Sequence, residues 1–434
     1  MKYKIGENYF GDWRDDKRCG QGQMIFCDGT VYEGAWLDDK ITGEGKFLWP
    51  DGDIYTGSFV DGKMSGYGKR QSLDGDLYEG EHSLGRLNGK GSVRLRNGET
   101  YEGELRRDKY HGFGKVVFGN GDSYEGEWQD GEKCGKGVYR WERGDVYEGE
   151  FKKDIFDGKG KYIWYDGDIY EGDFVGGLYC GYGVKTLSNG ERYEGEWKNG
   201  VMDGKGKYTW PDGSSYDGEW VDDDKSGKGR FVYENGDVYY GDWLYDRRHG
   251  NGKFMFKNGD VYEGEYAYGR MNGKGKYTWF DGTYYEGELK DGYFSGYGKK
   301  TFDNGDFYEG EWKEDLMHGK GKYTFKGGAY YEGEFKDDHF EGYGKKVFQS
   351  GAVYEGAWLH DRMNGKGKLT LEGGEYYEGE WTDGLFDCYG TLTYPDGRVI
   401  TAKWLDVYTG EGATLHDGDR IEAGIVKDGV FIRK

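Results

Sequence analysis

Carboxylates lead the residues from which chemistry could be built. Glu194 and Glu196 stand two apart in YEGEW, and the pair recurs along most of the chain. On a strand such residues share a face about 7 Å apart, a separation at which a glycosidase pair can be imagined. That reaction needs one carboxyl in a distinct environment that raises its pKa. A uniform ladder of glutamates, each matched to lysines such as Lys205 and Lys207, provides no such asymmetry. These charges read as solubility devices that guard a long sheet. His111, His249 and His318 share one position of a repeating unit, and the last two lie three units apart. With two strands per unit that is about 28 Å, far beyond the ~2 Å reach of one metal ion. Asp222-Asp223-Asp224 imitates the start of a calcium loop without the distal Glu, and reads as a solvated turn. Gly204-Lys205-Gly206 introduces no helix, so it is no phosphate loop, and no Ser or Cys stands near a His in a plausible triad. Catalysis, a metal and a cofactor are all unexpected.

The unit that carries these residues returns every 23 positions. Its opening Tyr is followed as Tyr9, Tyr32, Tyr55, Tyr78, Tyr101, Tyr124, Tyr147, Tyr170, Tyr193, Tyr216, Tyr239, Tyr262, Tyr285, Tyr308, Tyr331, Tyr354 and Tyr377, with Ile400 next. A fixed period of this size signals a stacked array in which each unit contacts its neighbours. Within 193–215, Tyr193, Gly195 and Trp197 alternate with Glu194 and Glu196, and Gly204, Gly206, Tyr208 and Trp210 alternate with Lys205 and Lys207. That is the period of half-buried strands, and the glycines exclude helix. The side chains propose a register for 193–197 against 204–208 through a turn around 198–203. Trp197 then faces Gly204, Gly195 faces Gly206 and Tyr193 faces Tyr208, while Glu194 meets Lys207 and Glu196 meets Lys205. Opposed unlike charges favour this alignment, and a one-residue slip would lose both faces together. Pro211-Asp212-Gly213 reads as a three-residue hairpin loop, a type I turn followed by a left-handed Gly. Gly holds that position from Gly6 through Gly29, Gly52 and Gly213 to Gly418. Rows of rings beside rows of Gly suggest rings lying over bare peptide.

Composition narrows the function. The 434 residues carry a net charge of −22, 85 glycines and 18% aromatics, with only 35% hydrophobic residues. The acidic balance argues against nucleic acid and against docking on anionic lipid. The cysteines, Cys19, Cys27, Cys134, Cys180 and Cys388, are odd in number and form no CxxC, which points to a reducing compartment. No apolar run approaches 18 residues, and MKYKIGENYF lacks a signal-peptide core. The expectation is a soluble, cytoplasmic, unsecreted chain.

YEGEW, GKGKY and the PDG turn resemble the MORN repeat, the "membrane occupation and recognition nexus" motif, over about residues 6–430. The resemblance implies an all-β fold, an elongated, single-layer, twisted antiparallel β-meander of 23-residue hairpins with an aromatic groove. One continuous array over 1–434 is expected, with about 18 repeats, the first at 6–28, and degenerate caps over 388–434. It also implies non-catalytic roles, as a cytoskeletal scaffold or as a membrane-tethering phospholipid binder, with axonemal radial-spoke proteins as further relatives. The reading adopted is a cytoskeleton-associated interaction rod that binds proteins in the groove and self-associates through its ends as a homodimer. From the central repeats, Tyr193, Trp197, Tyr208, Trp210, Tyr216 and Trp220 are the expected groove residues.

Departures from the repeat mark special regions. Arg70, Ser72 and His82 stand where rings are usual, as neighbours on the aromatic face, and suggest a weak joint or bend, with a partner-binding site at Arg70 and His82 as the alternative. Four repeats carry Tyr for Lys with a cation three residues on, Tyr67 with Arg70, Tyr182 with Lys185, Tyr297 with Lys300 and Tyr343 with Lys346. These pairs suggest a contact stripe. Near the C-terminus Cys388 and Ala402 replace glycines, and Ile421 and Ile425 fall at the Tyr and Trp positions. Terminal copies are expected to cap the sheet edge.

Overall fold

The computed structural model describes residues 6–406 and 408–434. The side chain at 388 lies outside that set, so the exchange of Gly for Cys there has no structural account. Thirty-eight strands and no helix occur among the described residues. The chain divides into two compact units, Met1–Gly213 with Trp220–Asp223 and Ser214–Glu219 with Asp224–Lys434. The division falls inside the strand Ser215–Val221. Each unit is an antiparallel meander in which a seven-residue strand alternates with a nine-residue one, as in Arg192–Lys198 followed by Val201–Thr209. Phe307–Lys313 and Leu316–Thr324 repeat the pattern in the second unit.

The register keeps half of the expected hairpin. Tyr193 faces Tyr208, Glu194 faces Lys207 and Gly195 faces Gly206. Trp197 does not face Gly204, and Glu196 does not face Lys205. A bulge intervenes, and Trp197 pairs with Met202 and Lys198 with Val201. The turn is therefore not six residues long but two, Asn199-Gly200, with φ of 51° and 91°. Positive φ at both positions is the type I′ geometry, whose twist matches that of the strands. The local twist wins because it extends both strands towards the turn, at the cost of one bulge. The opposition of Trp to Gly does exist, but one strand earlier: Trp197 faces Gly181 and Glu196 faces Tyr182.

The outer connection follows the expected form. Gly213, at φ 87°, donates its N–H to Trp210 O at 3.0 Å. Gly418 departs from the series, because it opens a two-residue turn between the paired Asp417 and Arg420. Pairing in that hairpin shifts between Gly410 and Ala413. Ile421 is consequently 66% exposed and Ile425 lies at the surface, while Ala413 and Val426 are buried in their stead. Ile400 and Ala402, by contrast, are buried at the Tyr and Gly positions they occupy.

In several copies carboxylates tie one hairpin to its neighbour along the turn edge or the loop edge. On the turn edge Asp223 accepts the Met202 N–H at 2.8 Å, and Asp338 accepts that of Met317 at 2.8 Å. On the loop edge Asp306 accepts the Tyr323 hydroxyl and the Lys326 N–H, both at 2.8 Å. Burial alone would raise the Asp306 carboxyl, but these bonds and one from Asn304 hold it below the usual range.

Candidate interaction faces

Alternation divides each unit's residues between a ring face and a polar face. On the ring face the repeat Tyr lies across two facing glycines. A Cβ added at Gly206 would overlap the Tyr193 ring, and one at Gly321 would overlap Tyr308. The Tyr193 hydroxyl then reaches Glu196 O at 3.0 Å. Trp197 meets Tyr193 edge-on at 5.0 Å and donates Nε1–H to Gly183 O at 3.2 Å. Trp312 and Trp358 make the same bond, to Gly298 O and Gly344 O, each at 3.1 Å. Both rings of the motif are thus spent on packing and on a backbone carbonyl. Burial pushes the Tyr32 and Tyr55 phenols up to about 12.

This corrects the expected groove. Tyr193, Trp197, Tyr216 and Trp220 are core residues, buried rather than displayed. Tyr208 and Trp210 remain half-exposed and meet at a tilt of 38°, 4.6 Å apart.

The Tyr and cation pairs do not form one stripe either. Three residues apart on a strand, their side chains leave on opposite faces. Lys300 sits on the ring face, 5.3 Å from Trp279 and 5.6 Å from Phe294, and Lys346 lies 5.3 Å from Phe340 and from Phe348. Burial lowers the pKa of both lysines. Lys185 lies over Trp164 at 5.6 Å. Arg70 lies over Trp49 at 5.7 Å and bonds Asp53 through Nη2 at 2.7 Å. Sequence reasoning missed that these cations are packed among rings, although a signal was present. In Tyr179/Lys185, Phe294/Lys300 and Phe340/Lys346 the ring comes first; in Lys133/Tyr139, Lys225/Phe231 and Arg248/Phe254 the order is reversed. One ring and one cation share each such space.

Residues 78–100 pack differently from the other copies. His82 is buried in the Trp place and bonds Gly80 O through Nδ1 at 2.9 Å, and burial lowers its pKa. Ser72 Oγ accepts the Asp76 N–H at 2.9 Å. Tyr78 no longer covers its glycines: around Gly91 the nearest side-chain atom to an added Cβ belongs to Leu105.

The exposed rings of the pairs stand on the polar face, among the glutamates and lysines. Tyr67 and Tyr182 donate their hydroxyls to Glu79 and Glu194 at 2.7 Å, and Tyr297 donates to Glu309 at 3.2 Å. They border grooves floored by the Gly backbone. In the first unit a groove of about 1380 Å³ includes Phe113, Val138, Glu148, Tyr182 and Val184. In the second, one of about 640 Å³ includes Tyr297, Lys322, Glu332 and Tyr343. The charges are paired across strands, as in Lys322 with Glu332 at 3.4 Å. Among the described residues no three His, Cys, Asp or Glu side chains converge to hold a metal ion.

Comparison with solved structures gives only remote likenesses. The TCP10 domain of Danio rerio CPAP, in complex with a peptide of Danio rerio STIL, is 15% identical over 54% of this chain and 94% of its own, with a TM-score of 0.25. The SAS-4 (dCPAP) TCP domain of Drosophila melanogaster, in complex with a Proline Rich Motif of Ana2 (dSTIL), is 14% identical over 45% of this chain and 94% of its own, at 0.23. Virginiamycin B lyase from Staphylococcus aureus, in a catalytically inactive form with quinupristin, is 11% identical over 68% and 96%, at 0.12. Scores this low carry no functional argument. No curated protein matches the chain. The MORN repeat profile, in contrast, matches copies throughout residues 9–77 and 101–397, and passes over 78–100, where His82 stands in the Trp place and Tyr78 does not cover Gly91. With the period, the Tyr-over-Gly packing and these matches across most of its length, the chain belongs to the MORN-repeat family.

Proposed function

We propose that this chain is a non-catalytic scaffold that docks other polypeptides on its polar face. The carrying observation is the set of grooves there, bordered by the exposed rings Phe113, Tyr182, Tyr297 and Tyr343 above bare Gly backbone. Aromatic side chains held on a rigid sheet make contact area with little loss of freedom, and Tyr dominates many interfaces. The ring face is a poorer docking site, since its tyrosines and tryptophans already fill one another's surroundings. The acidic chain also suits protein partners better than phospholipid, whose headgroups call for cationic clusters. A cytoplasmic, cytoskeletal setting and end-to-end dimers belong to the same reading, because an uncovered strand edge is where a second copy pairs.

The test places a photo-crosslinking phenylalanine analogue at Tyr182 or Tyr297 in the native cell, with Glu314 on the turn edge as control. Discrete polypeptide adducts from the polar-face sites support the reading. Adducts to lipid alone, or none above the control, sink it. Light scattering of the purified chain checks the dimer, and a monomer at every concentration removes that part.

A further inference from the structure

Between residues 9 and 397 the repeat profile passes over 78–100 alone, and two packing residues differ there at once. Tyr78 does not lie across its glycines. A Cβ added at Gly80 would first meet the Gly91 and Lys90 backbone, and one at Gly91 would meet Glu79 O and Leu105. The Tyr78 ring is half-buried, whereas Tyr55 before it and Tyr101 after it are buried. His82 fills the Trp place with a smaller ring, 6% exposed and edge-on to Tyr55 at 5.1 Å. Leu87, Val93 and Leu105 of the next copy are the buried side chains nearby. The hairpin of Leu77–Ser83 and Arg86–Arg94 is thus closed by aliphatic groups and an imidazole, without a ring laid over Gly.

The surroundings of His82 favour its neutral form. Its Nδ1–H donates to Gly80 O at 2.9 Å. The neighbouring strands set Gly66 and Leu87 against it, and the Tyr55 phenol, pushed up to about 12, is uncharged. Among the described residues the charged group that acts on it is Asp108, from the following turn. That carboxylate is already engaged, accepting the Leu87 N–H at 2.8 Å with Arg86 Nε 3.8 Å away. Burial outweighs Asp108 and lowers the imidazole's pKa. A buried imidazolium without a partner is costly, and this hairpin lacks the Tyr-over-Gly packing that would resist its expulsion.

We infer that residues 77–94 form an acid-sensitive joint in the first unit: a proton taken up by His82 drives it out of the ring column and opens this hairpin, while the hairpins on either side stay folded. The open hairpin binds the extra proton, so the contribution of His82 is complete above the ordinary histidine value of about 6.5 and is lost as pH falls below it. In an array whose units contact mainly their neighbours, one open hairpin uncouples the copies before it from those after it. The joint is independent of the polar-face grooves.

The test is hydrogen exchange of the full chain at about pH 7.5 and 5.5, read as protection factors in Leu77–Ser83 and Arg86–Arg94. The strands Ser123–Gln129 and Glu132–Arg140 of the same unit serve as reference. The opening constant of 77–94 should rise by up to about tenfold at the lower pH, the limit set by one proton and a histidine value near 6.5. The reference strands should not change. His82→Phe, with the ring that holds the same place as Phe59 and Phe151, should abolish the rise. NMR of the histidine-labelled chain should show His82 titrating below the ordinary value. No rise in the natural chain, a rise that persists in His82→Phe, or an imidazole that titrates at or above 6.5 overturns the inference.

Discussion

The packing of Tyr308 over Gly310 and Gly321 can be tested by taking the ring and the glycines apart one at a time. An alanine methyl at Gly321 would meet the Tyr308 hydroxyl and ring carbons and nothing nearer. At Gly310 the methyl would meet Tyr308 too, but also the Gly321 Cα at 2.5 Å. Neither glycine has a left-handed φ, so sterics alone decide the outcome. Overpacking of a close-fitted site costs about 1–3 kcal/mol. Loss of a fully buried ring costs about 3–5 kcal/mol, and Tyr308 is 0% exposed. Gly321→Ala alone should therefore weaken the hairpin by ~1–3 kcal/mol. In a Tyr308→Ala background the same change should be neutral or slightly stabilising, since Ala loses less chain freedom than Gly, by about 0.5–1 kcal/mol. Gly310→Ala should remain harmful in that background, because the opposing backbone is still there. A repeat array need not unfold in one step, so local stability should be read by native-state hydrogen exchange of the amides in Phe307–Lys313 and Leu316–Thr324. If the costs of Gly321→Ala and Tyr308→Ala simply add, the ring does not occupy that space and the packing scheme is wrong.

Three further outcomes follow from the same geometry. Trp358→Phe removes the Nε1–H bond to Gly344 O and should destabilise its hairpin by about 1–3 kcal/mol, the range for an orphaned buried acceptor; unchanged exchange protection at 342–358 would contradict this. The buried tyrosines titrate late: with Tyr32 and Tyr55 raised to about 12, their contribution is full below the ordinary tyrosine pKa near 10 and is lost as pH rises through 12. Absorbance at 295 nm should accordingly rise in two phases, exposed phenols first and the column with unfolding, and a single phase near pH 10 would argue against burial. The Asp361 carboxylate, 2.6 Å from His339 Nδ1, raises the imidazole's pKa. That stabilisation is present below the ordinary His value and disappears as pH rises through the raised one. An NMR titration should show His339 titrating lower in Asp361→Asn, and no change would remove the pair.

Much of the architecture was legible because alternation and period are local properties. Tyr193, Glu194 and Gly195 declare a strand and a face, and Pro211-Asp212-Gly213 declares its loop. The turn at Asn199-Gly200 is shorter than the charge pattern suggests. Asn-Gly is itself a two-residue turn signal, and it outweighed the charge match of Glu196 with Lys205 that had favoured a longer loop. Exposure was harder to foresee. A ring and a glycine on one face are compatible with a displayed groove or with a covered one, and only the third dimension shows that the Tyr193 and Trp197 rings close over each other. Lys185 and Lys300 illustrate the same limit, since a cation in a ring column looks like a surface substitution until its aromatic neighbours are counted.

The carboxylate ties along the two edges have a consequence for how such a chain can change its length. Asp306 takes hydrogen bonds from Tyr323 and Lys326 in the copy after it, and Asp223 takes one from Met202 in the copy before. A unit that carries both carboxylates thus presents an acceptor forward on one side and backward on the other. Excising or duplicating a whole number of 23-residue units keeps each strand's faces and its place in the hairpin, whereas a cut of any other size breaks the period on which the Tyr-over-Gly packing depends. Genes for molecules built this way can lengthen or shorten by unequal recombination and still encode a folded product.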